Sequence, residues 1–354
     1  MKSVLVTGAT GFIGGRIVEK LFLNRSYRVI AGVHSWSKAA RIGRFPVDFR
    51  EIDVLNKHSL VKAFKGVDII IHCASGSYPI INSGTKNVLE IARFRGVKHL
   101  IYLSSVAIYG NVSGVIDELS PMAVRGNDWY SKAKIQAENH CYSAILSGLP
   151  VTIIRPTIVY GPFSRLWTMA IASRLKFGSI NISPRANGLC NLLYIDDLVD
   201  LINLAILNKR ALNEIFIVNG PGVLTWNQYF MLFNDMLGLK TLKANRIADN
   251  YYYDLKSLSL EPVRSFAKFL LSTQYDLVSQ IYVNNIFLKR VMKFFEQNLV
   301  DTHSLSNLRL FNKSAVYNAG KAESVLGFKP NIDPAKGISL SVKWLKHLGF
   351  NNES

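Results

Sequence analysis

Through its first 160 residues the chain alternates short β-branched runs with longer segments of helical spacing. Val4–Thr7, Val29–Val33, Phe49–Asp53, Ile69–His72, Leu100–Ser104 and Thr152–Arg155 read as strands. Between them, Gly14–Leu23, Ser59–Phe64, Thr85–Arg95 and Tyr130–Ser147 place apolar residues on one face of a helix, with glycines marking the turns. That alternation predicts an α/β fold built on a doubly wound parallel sheet. Beyond Gly161 the rhythm breaks. It returns in a strand over Leu192–Ile195, a helix starting near Asp196 and a strand over Ile215–Asn219. The break and return predict a first domain over residues 1–165, rejoined by 190–221, and a smaller discontinuous domain over 166–189 and 222–354. Residues 240–315, rich in tyrosine, phenylalanine and lysine, carry little pattern apart from an amphipathic helical stretch over Val263–Phe295.

Composition narrows this picture. A chain of 354 residues with 49% hydrophobic and 19% charged residues has enough apolar surface for a large core. The start, Met1-Lys2-Ser3 followed at once by a strand-like run too short for a signal h-region, is not expected to be a secretory leader, and no stretch is apolar for the roughly 18 residues a membrane span needs. An intracellular, cytoplasmic protein is expected. Cys73, Cys141 and Cys190 are odd in number and widely spaced, which argues against a disulfide framework and against a metal site. The net charge of +18 suits an anionic ligand. The basic residues are scattered, without the clustering or motif of a nucleic-acid binder, so no nucleic-acid partner is expected.

The first strand runs into Gly8-Ala9-Thr10-Gly11-Phe12-Ile13-Gly14, and a helix follows. Glycines at this junction let the backbone approach a pyrophosphate, whose charge the first amides of the helix stabilise, so the junction reads as a Rossmann-type dinucleotide loop. Its Gly-x-x-Gly-x-x-Gly spacing resembles the extended short-chain dehydrogenase/reductase superfamily, the NAD-dependent epimerase/dehydratase family that modifies nucleotide-linked sugars. Further stretches agree: Asp53-Val54 after the third strand, His72-Cys73-Ala74 after the fourth, Leu103-Ser104-Ser105 through Tyr109-Gly110, Arg155-Pro156 through Tyr160-Gly161-Pro162, Asn191 through Leu198, and Leu326-Gly327-Phe328-Lys329-Pro330. The resemblance implies cofactor contacts at Gly8, Thr10, Gly11, Phe12, Ile13, Gly14, Asp53, Val54, Cys73, Ala74 and Pro156. It also implies a homodimer formed through helices that include Thr85–Arg95 and Tyr130–Ser147.

Tyr130 and Lys134 stand four residues apart and share a helix face. An ammonium beside a phenol stabilises the phenolate, lowering a pKa that is ordinarily about 10 and preparing the oxygen to exchange a proton with a substrate hydroxyl. Ser105, at a strand end, supplies a hydroxyl to hold the reacting oxygen. The resemblance implies that Lys134 also holds the nicotinamide ribose; the small hydroxyl residue the family usually has just before this lysine is here Ala133. After the second strand no acid stands ready for a ribose 2′-hydroxyl. His34, Ser35 and Lys38 are placed instead to receive a 2′-phosphate, with Arg41 further off, which favours NADP over the alternative, NAD.

Sugar 4,6-dehydratases of the superfamily carry an Asp-Glu pair where this chain has Val106 and Ala107, which argues against water elimination. Family epimerases carry an asparagine where this chain has Ile81, with Asn82 adjacent. The expected activity is reversible hydride transfer on a nucleotide-linked sugar, as a 4-ketosugar reductase or a 4-epimerase. Arg165, Arg174, Lys176 and Arg185 lie where the family binds its nucleotide diphosphate. A second expectation is a membrane-associated dehydrogenase of a hydroxylated lipid or sterol, with peripheral membrane contact through the apolar and basic residues of 263–295. A third, from another class, is a non-catalytic NADP-binding regulator, against which both Tyr130 and Lys134 stand.

Overall fold

The computed structural model describes residues 1–124, 126, 128–178, 180–182, 187–244 and 310–350. The chain forms two compact units. The first holds residues 1–168, 191–223 and 314–341; the second, among the described residues, holds parts of 169–190 and 224–244 together with 310–313 and 342–350. Residues 314–341 therefore pack with the first unit, where a single boundary near 222 was expected to leave them outside it.

In the first unit, strands β1 (Lys2–Thr7), β2 (Tyr27–Val33), β3 (Asp48–Glu51), β4 (Ile69–His72), β5 (His99–Leu103), β7 (Val151–Pro156) and a strand over Ile215–Val218 form one parallel sheet. Its order runs Ile215–Val218, β7, β5, β4, β1, β2, β3. The chain reverses direction across the sheet between β1 and β4, the place where an open parallel sheet leaves a crevice at its carboxyl edge. Helices on both faces explain why Val4, Leu5, Val6, Ile70 and Ile71 are fully buried: a parallel strand covered on both sides needs a continuous apolar run.

Each long helix follows from its local sequence. Helix α1 (Phe12–Asn24) buries Ile17, Val18 and Leu21. It is clamped from outside by Arg16, which donates to both carboxylate oxygens of Asp196 at 2.6 and 2.8 Å, and by Lys20 on Asp200 at 2.7 Å. Helix α2 (Lys57–Ala63) is capped by Asn56, which accepts from the amides of His58 and Ser59 at 2.9 and 3.2 Å. Helix α3 (Tyr78–Phe94) starts seven residues before the expected Thr85, because Pro79 suits the first turn of a helix. Helix α4 (Trp129–Leu146) is capped by Asp128, which accepts from the Ser131 amide at 3.1 Å. Outside the main sheet, β6 (Gly114–Ile116) pairs with Ala315–Tyr317, and β8 (Ile158–Tyr160) pairs with Leu192–Tyr194.

In the second unit the helix Trp226–Met236 opens with a capping box between Thr225 and Gln228, and its Trp226 packs on Phe311 at 4.7 Å between ring centroids. Among the described residues no helix is long and apolar enough to cross a membrane.

Candidate active site

The glycine loop is built by exclusion. Gly8 has φ +66°, and a Cβ there would lie 2.9 Å from the backbone of Cys73 and Ala74; a Cβ on Gly14 would collide with the carbonyl of Gly8. These two glycines let β1, the loop and the end of β4 close on one another. Gly11 differs: it is exposed, and a Cβ there would meet only the Gly8 carbonyl, at 3.2 Å. It stands at the N-cap of α1, which has no side-chain cap and no acid in its first turn. No acid of the helix's own first turn competes for these amides, and the cradle fits the pyrophosphate of a dinucleotide.

Behind the loop, the Thr7 hydroxyl accepts from the amides of Cys73 and Ala74 at 3.2 and 3.4 Å and lies 2.7 Å from Nδ1 of His72. Nε2 of His72 lies 3.1 Å from the Thr85 hydroxyl, which donates to the Ile81 carbonyl at 2.5 Å. Beside the loop, the Asp53 carboxylate accepts from the Leu55 amide at 2.9 Å, and Val54 is buried against Gly84, where a Cβ would stand 2.7 Å away. Pro156 is buried at the end of β7 in register with Val218.

Past the end of β2, His34 and Lys38 are exposed, and the hydroxyls of Ser35 and Ser37 are 2.9 Å apart. Arg41 turns away from this group. Its guanidinium donates to the carbonyl of Phe12 at 3.2 Å and lies 3.9 Å from the Phe163 ring, and burial lowers its pKa to about 10. An acid that the linear sequence did not bring forward stands one strand over: Glu51, exposed and in register with Val33.

At the end of β5 the structure brings Ser105, Tyr130 and Lys134 together. The Ala107 amide donates to the Ser105 hydroxyl at 3.1 Å, and Ser105 stands near enough to the Tyr130 phenol to favour its charged form. Lys134 is 3% exposed; its ammonium donates to the Leu103 carbonyl at 2.6 Å and lies 5.9 Å from the Tyr130 ring centroid. Here the structure differs from the sequence expectation of a phenol pulled down by its lysine. Burial pushes Tyr130 up, with Ser105 opposing it, while the Lys134 ammonium donates to the Leu103 carbonyl. Burial also lowers Lys134 to about 8.

Val106 is buried and Ala107 half-buried in the 3-10 turn after Ser105. Asn82 faces α4, where its amide oxygen lies 2.8 Å from Nε2 of His140, and Ile81 is 1% exposed. Arg165 is exposed in the first unit; Arg174 is half-buried and Lys176 exposed in the second. Arg185 and the stretch 263–295 lie outside the described residues. The site also contains what the sequence reading missed: Glu138, one turn past Lys134, makes a buried ion pair with Arg155 at 2.7 Å.

With this geometry in place, comparison with known proteins is informative. Residues 4–219 match the NAD dependent epimerase/dehydratase family. The chain is 31% identical over 246 residues to the UDP-glucose 4-epimerase of Vibrio cholerae, an alignment covering 62% of this chain and 70% of that protein. It is 23% identical to a decarboxylating sterol-4-alpha-carboxylate 3-dehydrogenase of Candida albicans, covering 98% of each. In three dimensions it resembles the UDP-glucuronic acid 4-epimerase of Bacillus cereus crystallised with NAD, with a TM-score of 0.72 over 98% of this chain and 99% of that one at 18% identity, a likeness of fold.

Proposed function

The chain belongs to the NAD dependent epimerase/dehydratase family, and from that premise we propose that it is an NADP-dependent oxidoreductase acting by reversible hydride transfer on a nucleotide-linked sugar, as a 4-ketosugar reductase or a 4-epimerase. The observation that carries the reading is the convergence of Ser105, Tyr130 and Lys134 at the end of β5. A bound nicotinamide supplies or accepts the hydride at the carbinol carbon.

The protein's own residues handle the proton. Ser105 accepts from the Ala107 amide, which leaves its own hydrogen to turn toward Tyr130 and the phenol hydrogen to point onward to a substrate oxygen. In the reductive direction Tyr130 gives that proton to the developing alkoxide; in the oxidative direction its phenolate takes the carbinol proton as the carbon loses hydride. Lys134, lowered to about 8 and held on the Leu103 carbonyl, is the donor we assign to the nicotinamide ribose hydroxyls. The first-turn amides of α1 are assigned to the pyrophosphate, and His34, Ser35 and Lys38 to the 2′-phosphate. Val106 and Ala107 offer no acid or base for dehydration.

Similarity to the Vibrio cholerae UDP-glucose 4-epimerase supports the sugar substrate. A second reading, a sterol 3-dehydrogenase, is favoured by one observation: similarity to the Candida albicans enzyme spans 98% of both chains. The test offers UDP-glucose, UDP-galactose, UDP-N-acetylglucosamine and a 3β-hydroxysteroid in turn, with NADP(H) or NAD(H). Turnover of a UDP-sugar is expected, with loss of about 10²-fold or more in Tyr130→Phe while the NADPH Kd stays within about twofold. Steroid turnover alone would replace the sugar reading, and full activity of Tyr130→Phe would overturn the chemistry.

A further inference from the structure

Three successive turns of α4 dock on three adjacent residues at the end of β5. Tyr130 meets Ser105, Lys134 donates to the Leu103 carbonyl at 2.6 Å, and Glu138 accepts from the Ser104 hydroxyl at 2.5 Å. The first two contacts involve groups of the proposed chemistry. The third belongs to a carboxylate that touches neither the glycine cradle nor Tyr130.

Glu138 is 0% exposed and its partner Arg155 is 1% exposed. Arg155 grips both carboxylate oxygens, at 3.1 Å from Nε and 2.7 Å from Nη2. Its Nη1 donates to the Tyr109 hydroxyl at 2.7 Å and to the Glu118 carbonyl at 3.1 Å, while the Tyr142 hydroxyl bridges the pair, 3.2 Å from Nη2 and 3.3 Å from the carboxylate. Burial opposes the charge on Arg155, but Glu138 more than offsets it. A buried ion pair is a poor source of stability, because desolvation cancels most of the attraction and apolar residues of like volume often serve as well. What it provides is direction, since a bidentate pair braced by Ser104, Tyr109 and Tyr142 has one geometry.

We infer that Glu138 and Arg155 are positioning residues that fix the rotation and height of α4 on β5, through Ser104, so that Tyr130 stays beside Ser105. The inference rests on the proposed role of Tyr130, so its test reads that phenol directly and needs no substrate. Tyr130 is replaced by 3-fluorotyrosine in the full chain, and its fluorine resonance is followed against pH. In Glu138→Met/Arg155→Met, which removes both charges together, the midpoint is expected to rise by about one pH unit as Tyr130 moves away from Ser105, with the NADPH Kd within about threefold of the parent. Ser104→Ala, which keeps the ion pair and cuts only its tie to β5, should move the midpoint the same way by less, and it decides the matter if the double variant fails to fold. Midpoints within about 0.2 pH units of the parent would overturn the inference. Turnover by Tyr130→Phe would instead sink the proposed chemistry and leave the fluorine result to be judged by itself.

Discussion

His72 shows how far a single buried residue can be specified by its partners. The Thr85 hydroxyl gives its one hydrogen to the Ile81 carbonyl, so it must accept from Nε2 of His72. The Thr7 hydroxyl, already accepting from the Cys73 and Ala74 amides, gives its hydrogen to Nδ1. One neutral tautomer satisfies every group, and protonation would put two hydrogens on the Thr7–His72 bond. Burial, with the nearby charge of Lys134 acting the same way, lowers the imidazole to about 3. Thr7→Val keeps the shape of the side chain and removes the hydroxyl, leaving two amides and Nδ1 unpaired beside the glycine loop. Denaturant titration should show a loss of about 2–4 kcal/mol, on the scale of one or two buried polar groups left unsatisfied. The NADPH Kd should weaken as well, because Thr7 ties the glycine loop to the end of β4; a change below about 0.5 kcal/mol would contradict the network.

At the scale of elements, the glycine loop separates what the fold requires from what a ligand requires. In Gly14→Ala the new methyl strikes the Gly8 carbonyl, so α1 must shift and the unliganded protein should lose about 2 kcal/mol or more. In Gly11→Ala the methyl points outward at a residue with φ −80°, which any amino acid adopts. Its unliganded stability should therefore change by no more than about 1 kcal/mol, while NADPH binding falls about tenfold or more because the methyl occupies the pyrophosphate's approach. Thermal melts and fluorescence titration check both, and equal behaviour of the two variants would argue against this cradle. The same elements show what the sequence makes legible. Strand β4 and helix α4 were readable almost to the residue, the strand because a continuous apolar run is a strong signal and the helix because it runs without a glycine or proline to break it. The first turns of α3 were not, since Ser77-Tyr78-Pro79 resembles a loop until the proline is seen at a helix start. Tyr130, Lys134 and Ser105 stood out by spacing. Glu138 did not, because a glutamate four residues after a lysine looks like an ordinary surface pair, and only the sheet brings Arg155 to it.

At the scale of the whole molecule, the buried histidines set the acid limit of the first unit. His99 repeats the device of His72: its Nε2 faces the Thr152 hydroxyl at 2.8 Å, and that hydroxyl donates to the Ala211 carbonyl at 2.5 Å. Burial, reinforced by Lys2, lowers His99 to about 4. An unfolded histidine titrates near 6.5, so between about pH 6 and pH 4 the unfolded chain binds protons that the folded unit refuses. Stability is therefore highest above about pH 7 and falls as the pH drops through this window, with a limiting slope of about 2.7 kcal/mol per pH unit for two histidines. Asp68 acts lower: its hydrogen bonds to Lys98 and Ser3 hold its carboxyl below the usual range, a contribution present above about pH 4 and lost only beneath it. Urea unfolding at pH 7.5, 6 and 5 separates the two, because the Asp68 contribution is constant across that interval while the histidines' is not. A stability that stayed level from pH 7.5 to 5 would mean that His72 and His99 accept protons in the folded unit, which the fixed tautomer of His72 does not permit. The same dependence bears on function, since the threonine and backbone amides that keep His72 neutral also shape the glycine loop, so NADPH affinity should begin to fall in the pH range where the fold does.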